Sequence, residues 1–233
     1  MIIAIISDIH SNFEALTAAM NAIDRLGVDE IVCLGDVVGY GADPNACIDL
    51  VRRRCSIVLK GNHEAAVGNA TETDRFNVNA RSAIVWTRRQ LTPENLAYIA
   101  SLPLTASRDS LFLVHATPCN PESWKYIFDP GEALPAFGCF EEPVCCIGHT
   151  HVPAIFTPAG STRTVARTGK YLINVGSVGQ PRDRNTKLSF GVFDTGQWKY
   201  DNVRCPYDVE TAAWKILKTD LPSRLGHRLL MGV

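Results

Sequence analysis

The stretch MIIAIISDIHSNFEALTAAMNAIDRLGVDEIVCLGD, residues 1–36, decides how the chain begins to fold. Ile2–Ile6 is a continuous apolar run, the composition of a strand buried on both faces. Phe13, Leu16, Met20, Ile23 and Leu26 then recur at three- and four-residue spacing, which predicts a helix. Gly27 supplies the stop, since glycine accepts the left-handed conformation that ends helices. Glu30–Leu34 is a second apolar run. Strand, helix and strand in succession predict a βαβ unit with parallel strands.

The same pattern continues. Asp43-Pro44 is a helix cap followed by proline at the first helical position, opening a helix to about Arg53. Ser56–Leu59 is a third strand. Residues Asn77–Ala100 are helical with a break at Thr92-Pro93-Glu94, which caps a second helix. Leu111–Val114 and Val144–Ile147 are short buried strands. Ala154–Thr157, Tyr171–Val175, Leu188–Phe193 and Trp198–Val203 are strands separated by Gly, Pro and Asp turns. A helix follows over Val209–Lys218, and the tail after Pro222 shows no clear pattern. These elements predict one α/β domain over residues 1–233, with two sheets face to face and helices outside.

Lys plus Arg number 23 and Asp plus Glu 24, a formal charge of -1. That balance excludes a general nucleic-acid surface, which needs a clustered basic excess. Eight cysteines include no CxxC pair, so cysteine does not set the metal chemistry. Cys33, Cys139, Cys145 and Cys146 lie in or beside apolar stretches and read as small hydrophobes. A chain of this size buries roughly 70–75% of its unfolded surface and needs no disulfide. The first residues lack a basic leader, and no run of eighteen apolar residues exists. The expectation is a reduced, cytoplasmic protein with no membrane partner.

Five apolar strands end on metal-ligating residue types. The first ends on Asp8-Ile9-His10, the second on Asp36, and the third on Asn62-His63-Glu64. The remaining two end on His115 and on His149-Thr150-His151. Ligands of open α/β sheets bind outside the carboxyl ends of the strands. In extended chain, residues two apart point to one side, so Asp8/His10 and His149/His151 can each address one site or two adjacent ones. Five of the six histidines stand at such ends; His227 alone reads as a surface or packing residue. Oxygen and imidazole donors without thiolate suit Mn, Fe or Zn, Mn foremost. Asp8, His10, Asp36, Asn62, His115, His149 and His151 are too many for one tetrahedral ion. They suit two divalent ions with one bridging carboxylate, and Asp36, alone at its strand end, is the natural bridge. Two cations ~3.5–4 Å apart form the clamp used in phosphoryl transfer.

In this order, Asp8-Ile9-His10, Gly35-Asp36-Val37-Val38-Gly39-Tyr40-Gly41, Gly61-Asn62-His63, His115 and Gly148-His149-Thr150-His151 resemble the motifs of the calcineurin-like metallophosphoesterase superfamily. Asn174–Asp183 resembles the segment that follows GHTH in its small bacterial members. The resemblance implies a four-layer αββα sandwich of two mixed β-sheets flanked by helices. It implies one metal on Asp8, His10, Asp36 and His151, and another on Asp36, Asn62, His115 and His149. His63 is similar to the family's non-ligand histidine, which contacts phosphate and protonates the leaving group. The implied activity is hydrolysis of phosphodiester or phosphomonoester bonds by in-line attack of a metal-bound hydroxide. The substrate would be a small phosphorylated compound such as a nucleotide. Asn12, Tyr40 and Arg182 are candidate substrate contacts: Asn12 follows the first motif but better suits a helix cap, Tyr40 could stack on a base or be a plain loop residue, and Arg182 could hold a phosphate or sit in a solvated turn. Glu64 either orients His63 or faces solvent, and Trp124 reads as loop packing. Protein-phosphatase members carry an arginine where this chain has Gly39-Tyr40-Gly41. A catalytically silent scaffold or a nucleotide-binding regulator on the same fold is the alternative, and the intact His63 and ligand set weigh against the scaffold. The oligomeric state is left open.

Overall fold

The computed structural model describes residues 1–68 and 76–233. The chain opens with β1 (Ile2–Ile6), α1 (Phe13–Leu26), β2 (Glu30–Cys33), α2 (Pro44–Arg54) and β3 (Ile57–Val58). The signals that bound α1 hold at atomic detail, whereas Asp43 precedes Pro44 at the start of α2 without a side-chain cap bond. The Asn12 side chain accepts from the Ala15 amide at the start of α1, and Gly27 takes φ 62° at its end. The central elements are α3 (Asn62–Gly68), α4 (Val78–Gln90), α5 (Pro93–Ser101), β4 (Thr105–Arg108), β5 (Leu111–Val114) and α6 (Pro130–Ala133). There follow β6 (Val144–Ile147), β7 (Ala154–Thr157), β8 (Gly160–Ser161), β9 (Tyr171–Asn174), β10 (Leu188–Asp194), β11 (Lys199–Cys205), α7 (Val209–Leu217) and α8 (Ser223–Met231).

Two mixed sheets form. One has the order β11-β10-β1-β2-β3, the other β4-β5-β6-β9-β7-β8. The predicted βαβ units supply the parallel pairs β1–β2 and β2–β3. The C-terminal hairpin β10–β11 then adds antiparallel to β1, pairing Ile2 with Asp194. In the second sheet β5, β6 and β9 run parallel, with antiparallel strands at its edges.

The alternation of β1 shows how the layers stack. Ile3 and Ile5 pack with Val32 and Leu34 against Leu111, Leu113, Val144 and Ile173 of the second sheet. Ala4 and Ile6 face the other way, into Leu16, Ile23, Ile48 and Ile99 of the helices. On the outer face of the second sheet, Cys145, Ile147 and Leu172 are covered by Ala133, Phe137 and Phe140. That outermost layer is thinner than expected, because α6 is a single turn continued only by a short 3-10 helix over Leu134–Gly138. The tail without a readable pattern is helical: α8 packs Leu225 and Leu229 with Ala212 and Ile216 of α7 and Ala83 of α4.

The cysteine expectation holds in part. Cys33, Cys145 and Cys146 are fully buried. Cys139 is instead exposed and forms a disulfide with Cys119, with Cα atoms 5.3 Å apart across a sequence separation of 20. Cys139 follows Phe137 in sequence, but its turn lies outside the apolar face that Phe137 covers. This pair corrects the expectation of a fully reduced chain. Among the described residues no helix is long and apolar enough to cross a membrane.

Candidate metal centre

The parallel strands of both sheets end on one edge, and the ligand types gather there. Asp8, His10, Asp36, Asn62, His63, His115, His149 and His151 are each buried, with 8% exposure at most. Five of them, Asp8, His10, Asp36, His149 and His151, take φ between 50° and 66°. L-residues adopt that left-handed backbone at a cost, and it clusters where function demands a particular side-chain direction. Each strand end turns sharply and aims its side chain at a common point.

The imidazoles there show what that point is for. His10 Nδ1 lies 3.1 Å from the Val38 carbonyl, and His151 Nδ1 lies 2.5 Å from that of Gln180. A carbonyl only accepts, so both Nδ1 atoms carry the hydrogen and each neutral ring turns a bare Nε2 lone pair inward. Those two Nε2 atoms stand 3.1 Å apart. Two facing lone pairs cannot bond each other. Opposite, His115 Nδ1 faces the Leu34 carbonyl at 3.2 Å and His149 Nε2 faces that of Trp124 at 3.0 Å, so each again turns its other nitrogen inward. Their inner nitrogens lie 3.2 Å apart, with Asn62 Oδ1 at 3.1 Å from His115 Nε2.

Each carboxylate divides its oxygens. Asp8 Oδ2 accepts from the His149 amide at 2.9 Å, while Asp8 Oδ1 is buried without a partner, 3.2 Å from His151 Nε2. Asp36 Oδ1 accepts from the His63 amide at 2.9 Å. Asp36 Oδ2 lies between the two groups, 3.7 Å from His10 Nε2 and 3.4 Å from His115 Nε2. Asp8–His10–His151, Asp36–His115–His149 and His10–Asp36–His63 each converge within 4.8 Å. Electrophile-seeking lone pairs, an orphaned carboxylate oxygen and a shared carboxylate fit divalent cations. The backbone carbonyls that set each tautomer are the outer partners such ligands require. Without cations, burial opposes a charged His115, yet the Asp36 carboxylate raises it to about 9, so its inward Nε2 holds a proton in the place a cation would take. Burial lowers His149 to about 3, helped by His115.

His63 opens α3 behind this centre. Its Nδ1 is buried and unpartnered, and burial lowers the ring to about 4 despite Asp36. Its ring packs against Tyr40, His10 and Phe76. Gly39, at φ 91°, makes room for it: a Cβ there would stand 2.2 Å from His63 Nδ1. Gly39→Ala must therefore displace His63 or the loop. The expected result is a loss of activity of about tenfold or more and a lower melting temperature, checked by turnover beside thermal denaturation.

Glu64 takes neither of the two roles that its place beside His63 suggests. It is fully buried and accepts from the Asp36 amide at 2.7 Å, Val38 at 3.0 Å and Gly61 at 2.8 Å. It ties the loop after β2 to the turn after β3. Burial and the Asp36 charge push its carboxyl up to about 7, while the Val38 and Gly61 amides pull it back.

The three substrate candidates separate. Asn12 takes the cap role: its side chain accepts from the Ala15 amide and donates to the Gly179 carbonyl at 2.8 Å. Tyr40 is 8% exposed and wedged against His10 and His63, with ring centroids 4.6 and 4.5 Å away, so no open face remains for a base. It still lines the pocket above the centre, with Arg182. Arg182 is half-buried with its Nε unpartnered, its guanidinium 5.9 Å from the Tyr40 ring centroid. Two contributors escaped sequence reasoning. Trp124 offers its carbonyl to His149 and sets its ring edge-on to His115 at 6.0 Å, and Tyr126 stacks on the His149 ring with centroids 4.0 Å apart. Nothing in a lone aromatic pair signals such a position.

A family model for the calcineurin-like phosphoesterase superfamily domain matches residues 1–197. The chain belongs to the calcineurin-like phosphoesterase superfamily. An uncharacterized protein of Methanocaldococcus jannaschii is 40% identical over 240 residues, covering 99% of this phosphoesterase and 98% of that protein. The crystal structure of a metallophosphoesterase from Sphaerobacter thermophilus superposes with TM-score 0.90 at 36% identity, covering 100% and 99% of the two chains. A hypothetical protein from Pyrococcus horikoshii OT3 shares the fold, with TM-score 0.85 at 19% identity over 100% and 98%. Family and His/Asp centre together make this chain a metal-dependent phosphoesterase in the general sense.

Proposed function

We propose that this phosphoesterase hydrolyses small phosphodiesters or phosphomonoesters with two divalent cations, Mn²⁺ foremost. Asp8, His10, Asp36 and His151 would hold one, and Asp36, Asn62, His115 and His149 the other. The observation that carries the reading is the pair of inward nitrogens of His10 and His151, mirrored by those of His115 and His149 across Asp36. Bound cations would supply an acidified water and neutralise charge developing on the phosphoryl oxygens.

The chain's own groups do the rest. The backbone carbonyls of Val38, Gln180, Leu34 and Trp124 hold the four imidazoles in their ligating tautomers. Arg182 stands over the pocket to receive a phosphoryl oxygen, its free Nε ready to donate. His63 faces the same pocket. Burial keeps it neutral in the free protein, and a bound substrate's negative charge favours its protonated form. It can then pass a proton to the departing oxygen.

The test is hydrolysis of bis(p-nitrophenyl) phosphate beside p-nitrophenyl phosphate, in metal-stripped protein with Mn²⁺ restored. Metal-dependent cleavage supports the reading; a metal-loaded protein that cleaves neither refutes it. His63→Ala should keep its metal content and lose about 10²-fold or more in turnover. Loss of bound metal in that variant would make His63 a ligand instead.

A further inference from the structure

The two halves of the centre take their outer contacts from different parts of the chain. His10 and His151 rest on the Val38 and Gln180 carbonyls. His115 takes the Leu34 carbonyl, but both it and His149 also rest on one loop between β5 and β6. The Trp124 carbonyl faces His149 Nε2 at 3.0 Å, the Trp124 ring stands edge-on to His115 at 6.0 Å, and Tyr126 stacks on His149 at 4.0 Å. The Cys119–Cys139 disulfide closes that same loop.

The near end of this loop depends on that cross-link. No residue from Cys119 to Tyr126 is buried, whereas Thr117 and Ile127 on either side are. The turn's backbone bonds are local: Ser123 donates to the Asn120 carbonyl at 2.9 Å and Trp124 to that of Pro121 at 3.2 Å. Ile127 packs with Ala133 and Phe137, and the Arg182 guanidinium meets the Tyr126 hydroxyl, so these hold the far end. Asn120 and Trp124 take φ 54° and 52°. A bulky L-residue adopts that backbone at a cost and keeps it only where its surroundings impose it. The cross-link at Cys119 is the constraint at the start of this turn. It is open to attack, with Cys139 exposed and Cys119 half-buried. Exposed disulfides are the labile ones.

We propose that the Cys119–Cys139 disulfide is a redox control on one half of the metal centre: closed, it holds Trp124 on His115 and His149, and opened, it weakens cation binding there while the Asp8–His10–His151 half is spared. The proposal rests on the two-cation reading above. A dithiol opens the bond by exchange. One of its thiolates attacks a cysteine sulfur and displaces the other cysteine as thiolate; its second thiol then displaces the first cysteine. Two electrons and two protons pass to Cys119 and Cys139, and the dithiol leaves as a disulfide. Trp124 is then free to leave its strained turn, and His149 loses the acceptor that fixes its tautomer.

Thiol counting in denaturant should find six free cysteines before reduction and eight after. Eight at the outset overturns the proposal. Mn²⁺ calorimetry then compares the oxidised protein with protein reduced by dithiothreitol and desalted without oxygen. Two ions should bind the oxidised form. In the reduced form one should bind about tenfold or more weakly, the usual cost of losing an outer partner, and the other unchanged. Cys119→Ser/Cys139→Ser should match the reduced protein and ignore the reductant. His149→Ala should keep only the ion on the Asp8 side, whose affinity should not respond to reduction. Unchanged affinities in the reduced protein and the serine variant, or equal losses at both ions, overturn the redox control. If no form binds Mn²⁺, the two-cation reading fails first, and histidine ring NMR of the metal-free protein decides the loop. Shifts on reduction confined to His115 and His149 sustain it; unmoved signals, or signals moved equally at His10 and His151, end it.

Discussion

Asp36→Asn is expected to abolish measurable turnover, by about 10⁴-fold or more, and to lower metal content at both halves of the centre. The substitution preserves shape and reverses function. Asp36 Oδ1 accepts from the His63 amide, and an asparagine would keep its oxygen there. Its NH₂ group must then occupy the place of Oδ2, between His10 Nε2 and His115 Nε2. A hydrogen-bond donor would point where the centre needs a shared anionic ligand. Several kcal/mol of Lewis-acid stabilisation would be lost, and each ~1.4 kcal/mol is tenfold in rate. Elemental analysis beside turnover checks it. A variant that keeps full metal content and more than a tenth of the native rate would show that Asp36 does not join the two halves. His149→Ala gives the contrast: it should empty only the side built on Asn62 and His115.

The second large effect is on stability and needs no substrate. Glu64→Ala removes the only side-chain acceptor shown for the amides of Asp36, Val38 and Gly61. Each buried amide left unsatisfied costs about 1–3 kcal/mol. The expected loss for the three amides is therefore ~3–9 kcal/mol, a large share of the ~5–15 kcal/mol that holds a domain together. Glu64→Gln should cost less, about 1–3 kcal/mol. Oε2 accepts from both Asp36 and Gly61, so a glutamine oxygen placed there keeps two bonds and sets its NH₂ against Val38. Urea denaturation of the three proteins should rank them native, Gln, Ala. Equal midpoints for Ala and Gln would refute this account of Glu64. The carboxylate works at one remove from the chemistry: it fixes the loop on which Asp36 and Gly39 sit.

Most of the first half of the fold was legible because it is locally encoded. α1 was read to its last residue, since its apolar spacing, its cap and Gly27 all lie within the segment. β5, β6 and β7 were likewise read with their observed bounds. The helix α3 was missed because its seven residues carry the Asn62-His63-Glu64 motif, whose polar residues hide the apolar period. The helix α8 was missed for a related reason. Leu225 and Leu229 are its buried leucines, and they stand among Arg224, His227 and Arg228.

The sequence by itself determined the parallel βαβ start, the family pattern and the identity of every residue in the His/Asp centre. Those residues follow apolar runs, and strand ends are where an α/β sheet must present its chemistry. Only the tertiary structure decided what each polar atom does. Asn12 and Glu64 sit in or beside the motifs, yet they spend their oxygens on backbone amides. Trp124 and Tyr126 meet His149 from 23 or more residues away, on a separate loop. The last helix packs beside Tyr40, 183 or more residues from it in the chain. The reason is physical. Periodicity reports which face of a segment is buried, whereas hydrogen-bond partners and gathered charge depend on which segments meet.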